Sequence, residues 1–140
     1  MSATAKLKAP FPYFGGKSAV ADLVWDRLGN PDNYVEPFAG TAATLLRRPS
    51  PGKVETINDA NHFVVNFWRA VKHDRAGVIE HADWAVSEAD LHARHNWLLN
   101  NCNSAEFVNQ MAADPEFYCA KSAGWWVWGQ CCWIGSGWCD

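Results

Sequence analysis

A chain of 140 residues can build one hydrophobic core and is short for a complete multidomain enzyme. Hydrophobic residues make up 49% and charged residues 19% of it, a balance that excludes intrinsic disorder for the chain as a whole. The formal net charge of −3 lacks the basic excess of most nucleic-acid-binding domains, and it counts against DNA binding by this segment alone.

Export, membrane insertion and zinc binding are also disfavoured. Residues 1–12 lack the apolar core of a signal peptide, and the apolar residues 124–139 are too few to span a bilayer. The five cysteines form no Cys-x-x-Cys pair, so we expect no metal site and reduced, buried thiols. These features together predict a cytoplasmic protein without membrane contact.

The first half of the chain predicts short strands alternating with helices. From Ser18 the apolar positions repeat at helical spacing, and Gly29 is a suitable helix end. We predict strands over residues 34–36 and 54–58, and further helices over residues 41–48 and 63–72. This alternation is typical of an α/β fold with a parallel sheet and crossover connections.

Beyond His73 no further strand is predicted. Ser87 followed by Asp90 resembles a capping box that opens a helix through about Leu99. A second helix is expected over residues 104–113, and a third is expected to start at residues 114–115, where proline is tolerated. The sequence therefore predicts two parts, a strand-bearing part over residues 1–75 and a helical segment over residues 76–140.

Tryptophan is concentrated near the end of the chain, where five of the nine tryptophans occupy the last 16 positions. These rings could offer stacking faces to nucleic-acid bases. Trp125, Trp128 and Cys132 share helical spacing, however, which predicts one buried stripe. Because large aromatic side chains supply much of a core's buried area, we favour core packing.

Residues 36–40, Glu-Pro-Phe-Ala-Gly, follow the first predicted strand of the sheet. A glycine at this place lets the backbone approach a ligand closely, and a helix starting near Thr41 would direct its N–H groups at the same point. The motif is not Gly-x-Gly-x-x-Gly, so a pyrophosphate is not its natural ligand. The alternative is an ordinary strand–helix turn.

Asp59 ends the second predicted strand, 19 residues after Gly40 (59 − 40), close to the offset at which an acid binds ribose hydroxyls. Its alternative role is to cap a helix that begins at Ala60. Tyr13 offers a ring face that can cover an adenine or a cation, and Lys17 can pair with a ligand carboxylate. The alternative for Lys17 is a solvated lysine in a surface turn.

Three segments together resemble the DNA adenine methylase family: Tyr-Phe-Gly-Gly-Lys at 13–17, Glu-Pro-Phe-Ala-Gly at 36–40 and Asp-Ala-Asn at 59–61. The resemblance implies a bacterial or phage enzyme that transfers a methyl group from S-adenosylmethionine to adenine N6 in double-stranded DNA. It also implies a Rossmann-like methyltransferase sheet, present here in part, and a helical segment leading into a target-recognition region. The residues that it assigns to the cofactor are Tyr13, Gly16, Lys17, Glu36, Pro37, Phe38, Gly40 and Asp59.

The family's catalytic Asp-Pro-Pro-Tyr motif has no counterpart in these 140 residues. Asp-Pro-Glu-Phe at 114–117 lacks the second proline, and Gly-Ser-Gly at 135–137 stands where the family has an Asn-Gly turn. We therefore assign no catalytic residue and expect the motif downstream, in a missing C-terminal half or in a second chain. The alternatives are a non-catalytic cofactor-binding or interaction module, and a methyltransferase acting on RNA or a small molecule.

Overall fold

The computed structural model describes residues 6–139. The prediction that residues 1–12 contain no signal peptide falls partly on residues 1–5, which lie outside the described residues. The described chain is mixed α/β, mostly helical with a two-stranded parallel sheet. It forms two compact units, one ending at Ala60 and the other beginning at Asn61. Among the described residues, no helix is long and apolar enough to cross a membrane.

The first unit contains the sheet. Strand β1 (Asn33–Glu36) pairs in parallel with strand β2 (Val54–Ile57), with Asn33 opposite Val54 and Glu36 opposite Ile57. Helix α1 (Ala21–Leu28) precedes β1, and the short helix α2 (Ala43–Leu46) lies in the connection between the strands. The predicted strand positions and their parallel pairing are thus confirmed.

Helix α1 begins at Ala21, later than the predicted Ser18, and it ends as predicted at Gly29, which has φ of +74°. Its buried Trp25 donates from Nε1 to the Thr44 carbonyl at 2.7 Å and so fastens α1 to α2. The Arg47 guanidinium binds both carboxylate oxygens of Asp22 at 2.9 and 3.2 Å. Arg47, assisted by Lys6, lowers the pKa of Asp22 to about 2.

Helix α2 is shorter than the predicted helix over residues 41–48. It begins only at Ala43, because Ala42 has left-handed backbone geometry with φ of +51°. Before it, the Ala39 amide donates to the Asn58 carbonyl, and the Gly40 amide donates to the Asp59 carboxylate. These contacts with the segment after β2 hold residues 39–40 outside a helix.

The second unit is helical, and after Ile57 the described residues contain no strand. The helices are α3 (His62–His73), α4 (Arg75–Ala82), α5 (Glu88–Cys102), α6 (Ala105–Ala113) and α7 (Ala120–Cys132). Helices α3, α5 and α6 confirm the predictions for these segments, whereas α4 was not predicted. Helix α7 lies at the centre of the unit and packs against α3, α4 and α5.

Local caps set where the helices of the second unit begin. A side-chain oxygen accepts from a backbone N–H of the first turn at α3, α4, α5 and α6; the capping residues are Asn61, Asp74, Ser87 and Ser104. The predicted box at Ser87 is therefore confirmed as a cap, with the Asp90 amide donating to the Ser87 hydroxyl at 3.1 Å. The Asp90 carboxylate accepts from the same hydroxyl at 2.6 Å.

The prediction of a helix starting at residues 114–115 is wrong, since α7 begins at Ala120. Two interactions hold the intervening segment in an irregular conformation. The Asp114 carboxylate accepts from the Glu116 amide at 2.8 Å, which closes a local turn. Arg69 Nη1 donates to the carbonyls of Asp114 and Phe117 at 3.0 and 3.2 Å, and these oxygens are then not used within a helix.

The core of the second unit is aromatic. Trp126 is buried and lies parallel to Phe63 at a ring distance of 6.2 Å. Trp126, Val127 and Trp128 are all buried, whereas Trp125 and Cys132 are only partly covered, so the predicted single stripe is wrong although core packing is confirmed. Helix α7 is covered on most sides because three helices surround it.

Asn66 joins α3 to the start of α7. Its fully buried amide donates from Nδ2 to the Cys119 carbonyl at 3.1 Å and accepts from the Cys119 amide at 2.8 Å. One side chain thus satisfies both backbone groups of the residue that precedes α7. Loss of this amide would leave the Cys119 N–H without its acceptor, whereas the Cys119 carbonyl would keep the Ala123 amide at 3.0 Å.

We predict that Asn66→Ala lowers the free energy of unfolding by about 1–3 kcal/mol, because two hydrogen bonds are lost and the Cys119 amide is left without an acceptor. Urea denaturation followed by circular dichroism measures this. The matched control is Asn96→Ala on the exposed face of α5, expected to change stability by less than about 0.5 kcal/mol. Equal stability of the two variants would contradict a role for Asn66 in joining α3 to α7.

Candidate functional site

Three segments of the first unit meet where the two parallel strands end. Glu36 is the last residue of β1, Asn58 and Asp59 directly follow β2, and residues 13–17 reach the same place through Lys17. The carboxyl ends of parallel strands are the usual place for a ligand in α/β folds, because the connecting loops form a crevice there.

Hydrogen bonds continue between the two chain segments beyond the strands. The Asn58 amide donates to the Glu36 carbonyl at 2.9 Å, and the Ala39 amide donates to the Asn58 carbonyl at 2.8 Å. The Asn58 side chain donates from Nδ2 to the Pro37 carbonyl at 3.1 Å. Residues 36–40 therefore form an ordered turn anchored on the segment after β2.

Gly40 is the most constrained position in this turn. Its amide donates to Asp59 Oδ2 at 2.8 Å, and its φ is +49°, in the left-handed region. A Cβ atom at this position would lie 3.0 Å from Cδ1 of the Tyr13 ring. Glycine is thus needed both for the backbone geometry and for the close approach of the tyrosine.

A second turn presents Tyr13 and Lys17. The Gly16 amide donates to the Tyr13 carbonyl at 3.0 Å, and Gly15 has φ of +73°, as the third residue of a type II turn requires. Phe14, at the tip of this turn, is completely exposed. The two glycines therefore reverse the chain so that Tyr13 and Lys17 both reach residues 36–40.

Glu36 is a buried carboxylate whose neighbours compensate its charge. Its Oε2 accepts from the Tyr34 hydroxyl at 3.3 Å and from the Leu45 amide at 3.2 Å. Its Oε1 lies 3.3 Å from Lys17 Nζ, and the same ammonium group donates to the Phe38 carbonyl. Lys17 therefore neutralises Glu36 and fixes the backbone of the 36–40 turn at once.

Tyr34 is a member of this cluster that the sequence analysis missed. Burial, together with the negative charge of Glu36, raises the pKa of Tyr34 to about 12, so its hydroxyl remains a donor at neutral pH. The available signal was its position two residues before Glu36 in a strand, which puts both side chains on one face.

A small cleft opens beside the Lys17–Glu36 pair. Its volume is about 230 Å³, below the 300–1,000 Å³ typical of ligand pockets, so it can hold only part of a nucleoside-sized ligand. Phe38 lines this cleft and is 75% exposed, so its ring offers an apolar face beside the turn. Asp59 contacts the end of the same turn, at Gly40, and does not line this cleft.

The eight residues predicted to bind the cofactor all belong to the first unit. Four of them form two contacts that the sequence did not predict: Asp59 accepts from the turn amide of Gly40, and Lys17 pairs with Glu36. Their cofactor contacts stay predictions. The alternative of Asp59 as a helix cap is wrong, since Asn61 caps α3 by accepting from the Phe63 amide at 2.9 Å.

The expected helix N-terminus near Thr41 is also not present, because α2 begins at Ala43 and has only four residues. The N–H groups at the site come instead from the turn, where Ala39 and Gly40 use theirs to bind the segment after β2. Within residues 6–139 no group of three or more histidine, cysteine, aspartate or glutamate side chains is arranged for a metal ion.

Comparison with known families gives one clear result. A family model described as "D12 class N6 adenine-specific DNA methyltransferase" matches residues 13–121, well over half of the chain. The matched region starts at Tyr13 and contains all the residues of the site. No curated protein and no solved structure matches the chain.

We predict that Gly40→Ala destabilises the first unit more than Gly15→Ala does. Both positions have positive φ, which costs an alanine about 1–2 kcal/mol, but only at Gly40 would the new Cβ also meet the Tyr13 ring. Urea denaturation of both variants measures the difference. Adding Tyr13→Ala should remove the excess cost at Gly40, and an unchanged excess would show that the ring does not press on this glycine.

Proposed function

The chain belongs to the D12 class N6 adenine-specific DNA methyltransferases, and from this premise we propose that it binds S-adenosylmethionine for methyl transfer to adenine N6 in DNA. The cofactor is held by residues 13–17, residues 36–40 and Asp59. The observation that carries the proposal is the meeting of these three segments at the ends of two parallel strands.

The residues present fit such a cofactor in their chemistry. Tyr13 and Phe38 supply aromatic faces for a purine or a sulfonium. Lys17 uses two contacts on Glu36 and Phe38, and a third ammonium hydrogen is left to meet the amino-acid end of the cofactor. Asp59 fixes Gly40 through one oxygen, and its carboxylate would also accept from the ribose hydroxyls of the cofactor.

When bound, S-adenosylmethionine supplies an electrophilic methyl group on its sulfonium. The role of this chain is to bind and orient, because displacement by the adenine amine depends on proximity and alignment. The Tyr13 ring lies against Gly40, and Lys17 keeps the buried Glu36 neutralised while the turn stays closed. The target adenine must leave the duplex to reach such a site.

The Asp-Pro-Pro-Tyr motif, which holds the adenine amine in this family, does not occur in residues 1–140. We propose that this motif is supplied by a segment outside these residues, either a C-terminal half or a second chain. Val35 and Val54 support this, because both are large apolar side chains left exposed on the two strands. The register puts both valines on one face of the sheet, and helices packed on that face of a complete Rossmann-like sheet would cover them.

A non-catalytic cofactor-binding or interaction module is the second candidate. The net charge of −3 favours it, since binding to the phosphate backbone of DNA usually requires a basic surface. A methyltransferase that acts on RNA or a small molecule would use the same cofactor residues. For any of these activities the free cysteines fit the reducing cytoplasm of a bacterium or a phage-infected cell.

We predict that isothermal titration with S-adenosylmethionine gives measurable heat and that Asp59→Ala weakens binding about tenfold or more, since hydrogen bonds to a charged group contribute about 1.5–3 kcal/mol. The matched control is Asp26→Ala on the exposed side of α1, which should bind like the original chain. Equal heats for all three proteins would remove the basis of the site.

A methylation assay on the original chain tests where the catalytic motif resides. We expect no methyl transfer to DNA by this chain alone, because it lacks the Asp-Pro-Pro-Tyr motif that accepts a hydrogen bond from the adenine amine. Incorporation of labelled methyl groups into duplex DNA measures this directly. Methylation by the chain alone would contradict the assignment of the catalytic motif to a segment outside residues 1–140.

A further inference from the structure

The second unit contains a larger cleft that is unrelated to the proposed cofactor site. Its volume is about 570 Å³, and residues from α4, α5, α7 and the loop between α4 and α5 line it. The lining combines aromatic, cationic and acidic side chains; those that matter here are Trp84, Trp97, Trp125, Arg94, Asp90 and Glu80.

Arg94 is the unusual group in this lining. It is only 7% exposed, and its guanidinium carbon lies 4.4 Å from the ring centre of Trp128, 4.9 Å from that of Trp84 and 5.3 Å from that of Trp125. Its buried Nη1 donates to no acceptor among the described residues. A cationic donor held between indole rings without an acceptor is costly, unless a ligand completes its contacts.

The tryptophans of the cleft are fixed and partly exposed. Trp84 is 56% exposed, and its Nε1 donates to the Asp90 carboxylate at 3.4 Å. Trp97 and Trp125 pack edge to face at a ring distance of 5.1 Å. Lys121 Nζ lies 4.5 and 4.4 Å from these two rings. The indole faces that remain are therefore held in place before any ligand arrives.

The charges of the cleft select against a free phosphate. Asp90 and Glu80 both line it, and their two carboxylates offset the charges of Arg94 and of the neighbouring Lys121, so the cleft has no excess of positive charge. The Asp90 carboxylate is also already engaged, since it accepts from the Ser87 hydroxyl at 2.6 Å. A neutral, planar ligand with a polar edge suits this lining better than an anion does.

A nucleobase has these properties. Its face stacks on an indole regardless of sequence, its ring carbonyl or nitrogen accepts from a guanidinium, and an exocyclic amine can donate to a carboxylate. A base still paired within a duplex could not present its face in this way. The lining of the cleft thus matches a base that is out of its stack.

We propose that the cleft of the second unit binds an unpaired base of DNA, stacked on Trp84 with its polar edge towards Arg94. The identity of the nucleic acid as DNA rests on the proposed function. The binding itself uses none of the residues of the first unit, so it needs neither S-adenosylmethionine nor the catalytic motif.

The test uses fluorescence anisotropy of a labelled single-stranded oligodeoxynucleotide titrated with the full chain, without cofactor. Trp84→Ala should weaken binding about tenfold, which corresponds to about 1.4 kcal/mol for loss of one stacking face. Trp84→Phe should keep most of the affinity because it keeps a ring face. The control is Trp133→Ala, which removes an indole that does not line the cleft and should bind as the original chain does.

Circular dichroism first establishes that the variants are folded, which is expected for Trp84 because its ring is largely exposed. The proposal is overturned if the original chain does not bind the oligonucleotide, if Trp84→Ala binds as tightly as the original chain, or if the fully paired duplex binds more tightly than the single strand. Calorimetry with S-adenosylmethionine on the same Trp84→Ala protein should match the original chain. Unchanged cofactor heats together with oligonucleotide binding that Trp84→Ala does not weaken would reject the cleft and leave the proposed function intact.

Discussion

The hydrogen bond from the Gly40 amide to the Asp59 carboxylate joins the ends of both strands, and the geometry of the candidate site depends on it. With this bond in place, Gly40 keeps its left-handed conformation, and the Tyr13 ring can lie against a position that has no side chain. The Lys17–Glu36 pair secures the other end of the same turn. Two carboxylates with different partners thus hold one five-residue segment before any ligand is present, which reduces the ordering that binding would require.

The two units are stabilised in different ways. The first has a two-stranded sheet with exposed valines, and it combines a small core around Trp25 and Tyr34 with hydrogen bonds and ion pairs. The second is built around α7, whose buried Trp126 and Trp128 supply the core. Trp25, Trp126, Trp128 and Trp138 are buried and serve packing, whereas Trp84 beside Arg94 is 56% exposed. This division agrees with a chain whose first unit binds a small molecule and whose second unit contacts a larger substrate.

Local signals in the sequence were sufficient where the structure is locally determined. Gly29 ends α1, and Ser87 caps α5, because each acts on its own helix terminus. The strands were predicted because short segments with β-branched and aromatic residues are bounded there by turn residues. The segments around Ala42 and Asp114 were predicted wrongly because distant groups decide them: the segment after β2 holds the amides before Ala42, and Arg69 holds the carbonyls near Asp114. Contacts of this kind leave no periodic signal in the sequence.

The central claim is that the segments at 13–17, 36–40 and 59 form one site for S-adenosylmethionine, and amide chemical shifts report on it residue by residue. On titration with S-adenosylmethionine, we expect the amide resonances of Lys17, Gly40 and Asp59 to move together with one dissociation constant, while those of α5 and α7 stay in place. Shifts confined to the second unit, or responses of Lys17 and Asp59 that follow different dissociation constants, would contradict the claim.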